Sequence, residues 1–253
     1  MPRTLLSLCA LLAALYLGAC VALYVFQRAL IYYPQARSVD APVLLRLAVD
    51  DAQVLVSVRP RPGPKALIYF GGNAEDVSLN LPSFAQAFPE HALYLLHYRG
   101  YGGSSGAPSE AAIQRDALAL FDRVRASHSQ VVVVGRSLGS GVAVRLASQR
   151  PAAGLVLITP YDSLQELAAG QFPYFPVRWL LRDRFASWQY AARIGVPTLL
   201  LAAEHDEVIP RASTERLYSH FPAGVATLQV IPGTGHNSIS SSPRYLELLQ
   251  GAL

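Results

Sequence analysis

Short apolar segments recur along the chain and restrict its possible folds. Continuous apolar runs of this length are typical of strands buried on both faces of a parallel sheet. Between several of them apolar residues recur at helical spacing, as at Ile113, Ala117 and Leu120 behind the candidate N-cap Ser109. The alternation predicts an α/β fold, a mostly parallel sheet with helices on both faces. The runs are ALIYF (66–70), ALYLLHY (92–98), VVVV (131–134), GLVLIT (154–159), PTLLLAA (197–203) and ATLQVI (226–231).

Two stretches depart from this alternation. VLLRLAV (43–49) and AQVLVSV (52–58) are joined by two aspartates, which predicts an N-terminal antiparallel hairpin. Residues 164–190 are rich in aromatic residues and arginine and contain Pro173 and Pro176. We interpret this second stretch as a small lid inserted into the domain.

The N-terminal stretch 4–27 carries no charge and is bracketed by Arg3 and Arg28. As a helix it would measure about 36 Å, enough for the roughly 30 Å hydrocarbon layer of a bilayer. The apolar part of a cleaved signal peptide is shorter, about 7–15 residues. We therefore expect a transmembrane signal-anchor over 1–27, a linker over 28–41 and one domain over 42–253.

Two other interpretations of the N-terminal stretch stay open. The sequence ending at Cys20, LGAC, is similar to a lipoprotein processing box, so Cys20 is a candidate for lipidation. A buried core helix is the other alternative. With a short N-terminal tail left inside, the anchor predicts a single-pass protein of a bacterial inner membrane with its domain on the periplasmic side.

Composition excludes some classes of partner and chemistry. The net charge is +4, but the cations are scattered arginines apart from Lys65, so we expect no nucleic-acid partner. Both cysteines, Cys9 and Cys20, lie in the N-terminal stretch. The remaining chain can therefore form neither a disulfide nor a thiolate metal site.

The segment that follows VVVV carries the strongest chemical signal. Gly135-Arg136-Ser137-Leu138-Gly139 matches G-x-S-x-G, and it stands between a predicted strand and a predicted helix. This context is what the nucleophile-elbow motif requires, because the sharp turn exposes the serine hydroxyl at the carboxyl edge of the sheet. The alternative is a glycine-rich turn with an incidental serine.

A serine nucleophile needs a base, and in this architecture the chain order is serine, acid, histidine. His236 lies in the loop IPGTGHNS directly after the last predicted strand and is the candidate base. The other histidines after Ser137 are His205, beside the candidate acid, and His220, at the end of a helical pattern.

Two aspartates compete for the role of the acid. Asp206, in AAEHDEVIP, follows the predicted strand 197–203, and Asp162, in TPYDS, follows another strand. Asp206 is the preferred candidate, while Asp183 belongs to the lid-like stretch.

Backbone N–H groups are needed to stabilise a tetrahedral intermediate. Leu138 follows the nucleophile and supplies one, and Asn73, in the loop FGGNAED after a predicted strand, is the candidate for the other. A plain glycine turn is the alternative for this loop. The second glycine-rich loop, HYRGYGGSSG, lacks the GKS/T ending of a P-loop and predicts only a strand-end loop that borders the pocket.

Together, FGGNAED, YRGYGGSSGAPSE, GRSLGSGVA, TPYDSL, AEHDEVIP and PGTGHN resemble the membrane-anchored alpha/beta-hydrolase-domain proteins, which include serine-aminopeptidase-like, lysophospholipase and depalmitoylase relatives. The resemblance implies the alpha/beta-hydrolase fold, a triad of Ser137, Asp206 and His236, and oxyanion positions at Asn73 and Leu138. Two departures concern hydrogen bonding in the pocket. This chain has Gly71-Gly72 where relatives have His-Gly, and His97 where they have Asp.

We therefore expect a serine hydrolase that cleaves ester or thioester bonds of acyl substrates through an acyl-enzyme, without metal or cofactor. The membrane anchor favours acyl lipids or acylated proteins as substrates. The alternatives are an aminopeptidase-like amidase and a non-catalytic membrane-binding protein with the hydrolase fold.

Overall fold

A computed structural model describes residues 2–252 of the chain. Within these residues the strands form a single sheet in the order β1-β2-β4-β3-β5-β6-β7-β8. β1 and β2 form the predicted hairpin, β2 pairs antiparallel with β4, and the other pairs are parallel. The strands are β1 (Val43–Val49), β2 (Ala52–Arg59), β3 (Lys65–Phe70), β4 (Ala92–Leu96), β5 (Gln130–Arg136), β6 (Gly154–Ile158), β7 (Thr198–Ala203) and β8 (Ala226–Ile231).

Helices cover both faces of the sheet. In the predicted helix that follows β4, Ser109 is the N-cap, and its hydroxyl accepts a hydrogen bond from the Ala112 N–H at 3.2 Å. The helices are α1 (Pro2–Ile31), α2 (Leu81–Ala87), α3 (Glu110–Arg125), α4 (Leu138–Ala147), α5 (Leu164–Gln171), α6 (Val177–Leu180), α7 (Trp188–Ala191), α8 (Arg211–Ser219) and α9 (Pro243–Ala252), with 3₁₀ turns at Val77–Asn80 and Ile239–Ser241.

Two apolar clusters lie on opposite faces of the sheet because side chains alternate along each strand. Ile68 and Val133 pack in the cluster that contains the inner sides of α3 and α4. Their neighbours Leu67 and Val132 pack in the other cluster, with α2 and α9. This double burial is the reason for the continuous apolar runs. The predicted architecture, a mostly parallel sheet with an N-terminal antiparallel hairpin and helices on both faces, is confirmed.

The helix α1 is long and apolar enough to cross a membrane. Most of its apolar side chains are exposed, as at Leu5, Leu12 and Val25, so it is not the buried core helix considered as an alternative. The helix continues beyond the uncharged stretch to Ile31. Residues 28–31, predicted as the start of a linker, are therefore its last turn.

Residues 164–190, called the lid segment below, contain α5, α6 and α7. This segment packs against α1 as well as against the domain. The guanidinium of Arg28 donates to the carboxylate of Asp183 at 2.9 Å. The side chain of Gln27 donates to the carbonyl of Leu180 at 3.1 Å and accepts from the N–H of Arg182 at 2.7 Å.

Candidate active site

Ser137 stands on a sharp turn between β5 and α4. Its backbone has φ 50° and ψ −117°, a left-handed conformation that costs energy for a residue with a side chain. The turn closes tightly because glycines flank it. A Cβ on Gly139 would collide with the backbone carbonyl of Phe70, and one on Gly135 would collide with the carbonyl of Gly139. The elbow therefore needs both glycines of the motif.

His236 and Asp206 meet Ser137 at the carboxyl edge of the sheet. The Nε2 of His236 lies 3.0 Å from the Ser137 hydroxyl oxygen. Its Nδ1 lies 3.0 Å from each carboxylate oxygen of Asp206. The loops after β7 and β8 carry the acid and the histidine, so parallel strands deliver all three side chains to one place.

Hydrogen bonds at the site stabilise the negative charge of Asp206. Burial alone would raise the pKa of this carboxyl, but hydrogen bonds from His236 and from the N–H groups of Ile209 and Val208 outweigh burial, so the pKa lies below its usual value. The two backbone donors lie 2.7 Å and 2.9 Å from the carboxylate. Asp206 therefore remains an anion that can only accept hydrogen bonds from the histidine.

The competing candidates have other contacts. Asp162 accepts from the Ser213 hydroxyl at 2.5 Å and from Arg216 at 2.7 Å, so it is bound to α8 rather than to His236. His205 is exposed and lies 3.4 Å from the Glu204 carboxylate. His220 packs against the ring of Trp188.

Asn73 and Leu138 line the same cavity as Ser137. Leu138 is the first residue of α4, where the helix dipole favours negative charge. The amide side chain of Asn73 donates to the carbonyl of Ile31 at 3.0 Å, and its backbone carbonyl accepts from the Tyr101 hydroxyl at 2.6 Å. The side-chain amide and the backbone carbonyl of Asn73 thus both hold its loop in place. That the N–H groups of Asn73 and Leu138 form an oxyanion hole stays a prediction.

An ion pair beside the nucleophile was not anticipated from the sequence. Arg136 donates to Glu75 at 3.1 Å and to the backbone carbonyl of His236 at 3.4 Å. Glu75 also accepts from the N–H of Gly72 at 2.7 Å. The pair therefore connects the elbow with the loops of Asn73 and His236. The arginine inside the G-x-S-x-G motif was the one sequence signal for this ion pair, because a cation in such a turn needs an acidic partner nearby.

The two departures from the family pattern have separate structural consequences. Gly72 is held by Glu75, and the carbonyl of Gly71 accepts from the Tyr98 hydroxyl at 2.8 Å. His97 is buried, and its Nε2 lies 2.8 Å from the Ser57 hydroxyl of β2. Burial lowers the pKa of His97 to about 4, so this imidazole is neutral at pH 7.

Ser137 lies between two cavities of different character. One, of about 240 Å³, is mostly apolar and extends between α1 and the lid segment. The other, of about 490 Å³, is lined by polar groups that include Asn80, Arg136 and Asn237. Ser137 and Asn73 border both. A molecule bound across the serine would have an apolar part on one side and a polar part on the other.

Comparisons with known proteins identify the family. A model described as the alpha/beta hydrolase fold matches residues 65–187, and a model of serine aminopeptidases (S33) matches residues 179–241. Alpha/beta hydrolase domain-containing protein 17C of Xenopus tropicalis is 30% identical over 242 residues, covering 92% of this chain and 76% of that protein. The chain belongs to the alpha/beta hydrolase family.

Two further relatives extend this comparison. An uncharacterized protein of Mycobacterium tuberculosis is 34% identical over 251 residues, covering 92% of this chain and 88% of that protein. A lysophosphatidylserine lipase of Macaca fascicularis is 32% identical over 177 residues, covering 60% of this chain and 44% of that protein.

A solved structure supports the fold independently. The esterase Pf2001 of Pyrococcus furiosus superposes with a TM-score of 0.72 at 14% identity, covering 88% of this chain and 98% of that one. At this identity the likeness establishes the shared architecture alone.

Proposed function

We propose that the protein is a serine hydrolase that cleaves an ester or thioester bond between an acyl chain and a polar group. Ser137 is the nucleophile, His236 the general base and Asp206 the acid that orients it. The observation that carries the proposal is the continuous contact from Ser137 through His236 to Asp206, with 3.0 Å between Nε2 and Oγ and 3.0 Å between Nδ1 and the carboxylate.

The charge of Asp206 determines the direction of proton transfer. An anionic carboxylate requires a proton on Nδ1 of His236, which leaves Nε2 free to accept the proton of Ser137. Ser137 then attacks the carbonyl carbon and His236 becomes a cation beside Asp206. His236 returns this proton to the leaving group, and water cleaves the acyl-enzyme by the same route. The N–H groups of Leu138 and Asn73 would hold the oxyanion.

The two cavities suggest the kind of substrate. The apolar cavity suits an acyl chain, and the polar one suits the group to which the chain is attached. This agrees with the similarity to a lysophosphatidylserine lipase. The helix α1 fits a single-pass signal-anchor, which would hold the domain beside its lipid substrates, on the periplasmic side of a bacterial inner membrane.

The nucleophile is tested by Ser137→Ala in the full chain, with Ser148→Ala at the far end of α4 as the matched control. The first change should lower kcat for a p-nitrophenyl ester by on the order of 10⁶-fold and remove labelling by a fluorophosphonate, while the control retains both. Persistent labelling of Ser137→Ala would show that another residue is the nucleophile.

The alternatives are outcomes of the same assay. Faster cleavage of aminoacyl p-nitroanilides than of esters would indicate an amidase. No turnover of esters or amides by the wild type would indicate a binding protein.

A further inference from the structure

The helix α1 forms one wall of the apolar cavity. Leu23, Gln27, Leu30 and Ile31 line it from α1, and residues of α5 and α6 line it from the opposite side. The α1 residues are spaced at i, i+4, i+7 and i+8, so they share one face of the helix. The same helix thus has an exposed apolar surface and a face that continues the site of Ser137.

Specific polar contacts hold this wall in place. Asp183, with its side chain 5% exposed, accepts from Arg28 at 2.9 Å and from the Tyr32 hydroxyl at 3.1 Å. The amide of Gln27 has partners at both its oxygen and its nitrogen on the lid segment. Asn73, beside the nucleophile, donates to the carbonyl of Ile31. The buried polar groups of Gln27 and Asp183 thus have hydrogen-bond partners across the contact between α1 and the lid segment. These hydrogen bonds fix the position of the C-terminal half of α1 against the domain.

The lid segment also follows α1 toward its N-terminus. The Tyr16 hydroxyl donates to the carbonyl of Tyr174 at 2.9 Å, and the Tyr16 ring stacks on Phe175 at 5.8 Å between centroids. Arg28 follows Tyr16 by twelve positions, which is about 18 Å along a helix. The side chains of Tyr174 and Trp179 are 86% exposed on this part of the lid segment. If α1 enters a bilayer, these aromatic side chains enter its interface with it.

We propose that α1 is part of the substrate site: its C-terminal half and the lid segment bind a single acyl chain that reaches Ser137 from the bilayer. The inference rests on the proposed function and adds the place where the acyl chain binds and the side from which it enters. An apolar cavity of about 150 Å³ holds a benzene molecule, which has six carbons. By the same measure, the cavity of about 240 Å³ suits one acyl chain of roughly eight to ten carbons. The headgroup would remain in the polar cavity with Arg136 and Asn237.

The test is a substitution on α1 that places a large side chain in the apolar cavity. Leu23→Trp puts an indole on the cavity face, while the matched control Val25→Trp puts one on the exposed face of the same helix. Full-length protein in lipid nanodiscs is assayed with p-nitrophenyl butyrate and octanoate. Each methylene bound in the cavity is worth about fourfold in kcat/KM. The ratio of octanoate to butyrate kcat/KM should fall at least about tenfold in Leu23→Trp and stay at the wild-type value in Val25→Trp.

An unchanged ratio in Leu23→Trp would overturn the inference. Should this variant fail to fold, the wild type is labelled with a decyl fluorophosphonate that has a diazirine at the chain end, and is then irradiated. Crosslinks in the tryptic peptides that cover residues 4–37 are expected, and crosslinks found only elsewhere would overturn the inference. Failure of the proposed function is distinguishable, because the wild type would then cleave neither ester and Ser137 would not react with the probe.

Discussion

Replacing Glu75 with glutamine removes the negative charge beside Arg136 and should destabilise the site. Each carboxylate oxygen of Glu75 accepts two hydrogen bonds. One accepts from the Tyr69 hydroxyl and from Asn80, both at 2.7 Å, and the other accepts from Gly72 at 2.7 Å and from Arg136 at 3.1 Å. Burial and the nearby Glu75 charge raise the pKa of Tyr69, so its phenol stays a donor. A glutamine NH₂ would therefore face two donors in either orientation.

The expected size of the effect follows from burial. The side chains of Arg136 and Glu75 are 16% and 11% exposed, so the pair is mostly but not fully buried. Removing one partner of a fully buried pair costs about 3–5 kcal/mol, and the lower end of this range applies here. We expect Glu75→Gln to lose about 3 kcal/mol, or roughly 6–12 °C in Tm for a chain of this size. The loops of Asn73 and His236 both lose a support, so kcat/KM for a p-nitrophenyl ester should fall about 10- to 100-fold.

A double-mutant cycle measures the pair directly. Glu75→Gln with Arg136→Gln should lose about as much stability as either single change, because no buried charge is then left unpaired. The control is the exposed pair of Asp122 and Arg150, with contacts of 2.7 Å and 3.0 Å, where Asp122→Asn should cost under about 1 kcal/mol. Wild-type Tm and activity in Glu75→Gln would refute the supporting role of the ion pair.

Two further predictions concern the acid and a buried histidine. Asp206→Asn should keep the fold but lower kcat by about 10⁴-fold, because the required tautomer of His236 is no longer enforced. The control Asp162→Asn should retain activity. The reverse result would identify Asp162 as the acid. His97 has a pKa of about 4 in the folded protein and a higher one, about 6.5, when unfolded. Below pH 6.5 the unfolded chain binds the extra proton, so His97 should remove roughly 3 kcal/mol of stability between pH 7 and pH 4. His97→Gln should have a correspondingly flatter decline of Tm with acidity, and equal slopes in the two proteins would contradict this.

Local patterns in the sequence were sufficient to predict the fold. Strands buried on both faces must be apolar throughout, so the runs at 66–70 and 131–134 marked β3 and β5 before any contact was known. The elbow at Ser137 was equally local, because its turn needs glycines at fixed spacing. A run of apolar residues without charge likewise predicted α1, although not its last turn at 28–31.

The choice between two aspartates shows the limit of local patterns. Asp162 and Asp206 both follow parallel strands, and the sequence favoured Asp206 without excluding Asp162. Packing separates them, since Asp162 pairs with Arg216 of α8 and Asp206 reaches His236. The catalytic roles of Ser137, Asp206 and His236 remain predictions, now with a geometry that supports them.

Other features were decided only by tertiary structure, because they depend on residues far apart in the chain. Glu75 and Arg136 are brought together by the parallel pairing of β3 with β5. The arginine in the motif indicated that a partner was needed, but the sequence did not identify Glu75 as that partner. The wall that α1 adds to the apolar cavity depends on Asp183, more than a hundred residues away in the chain, pairing with Arg28. Length and hydrophobicity in the sequence predicted a membrane helix. Only the packing of the lid segment against it turned one face of that helix toward Ser137.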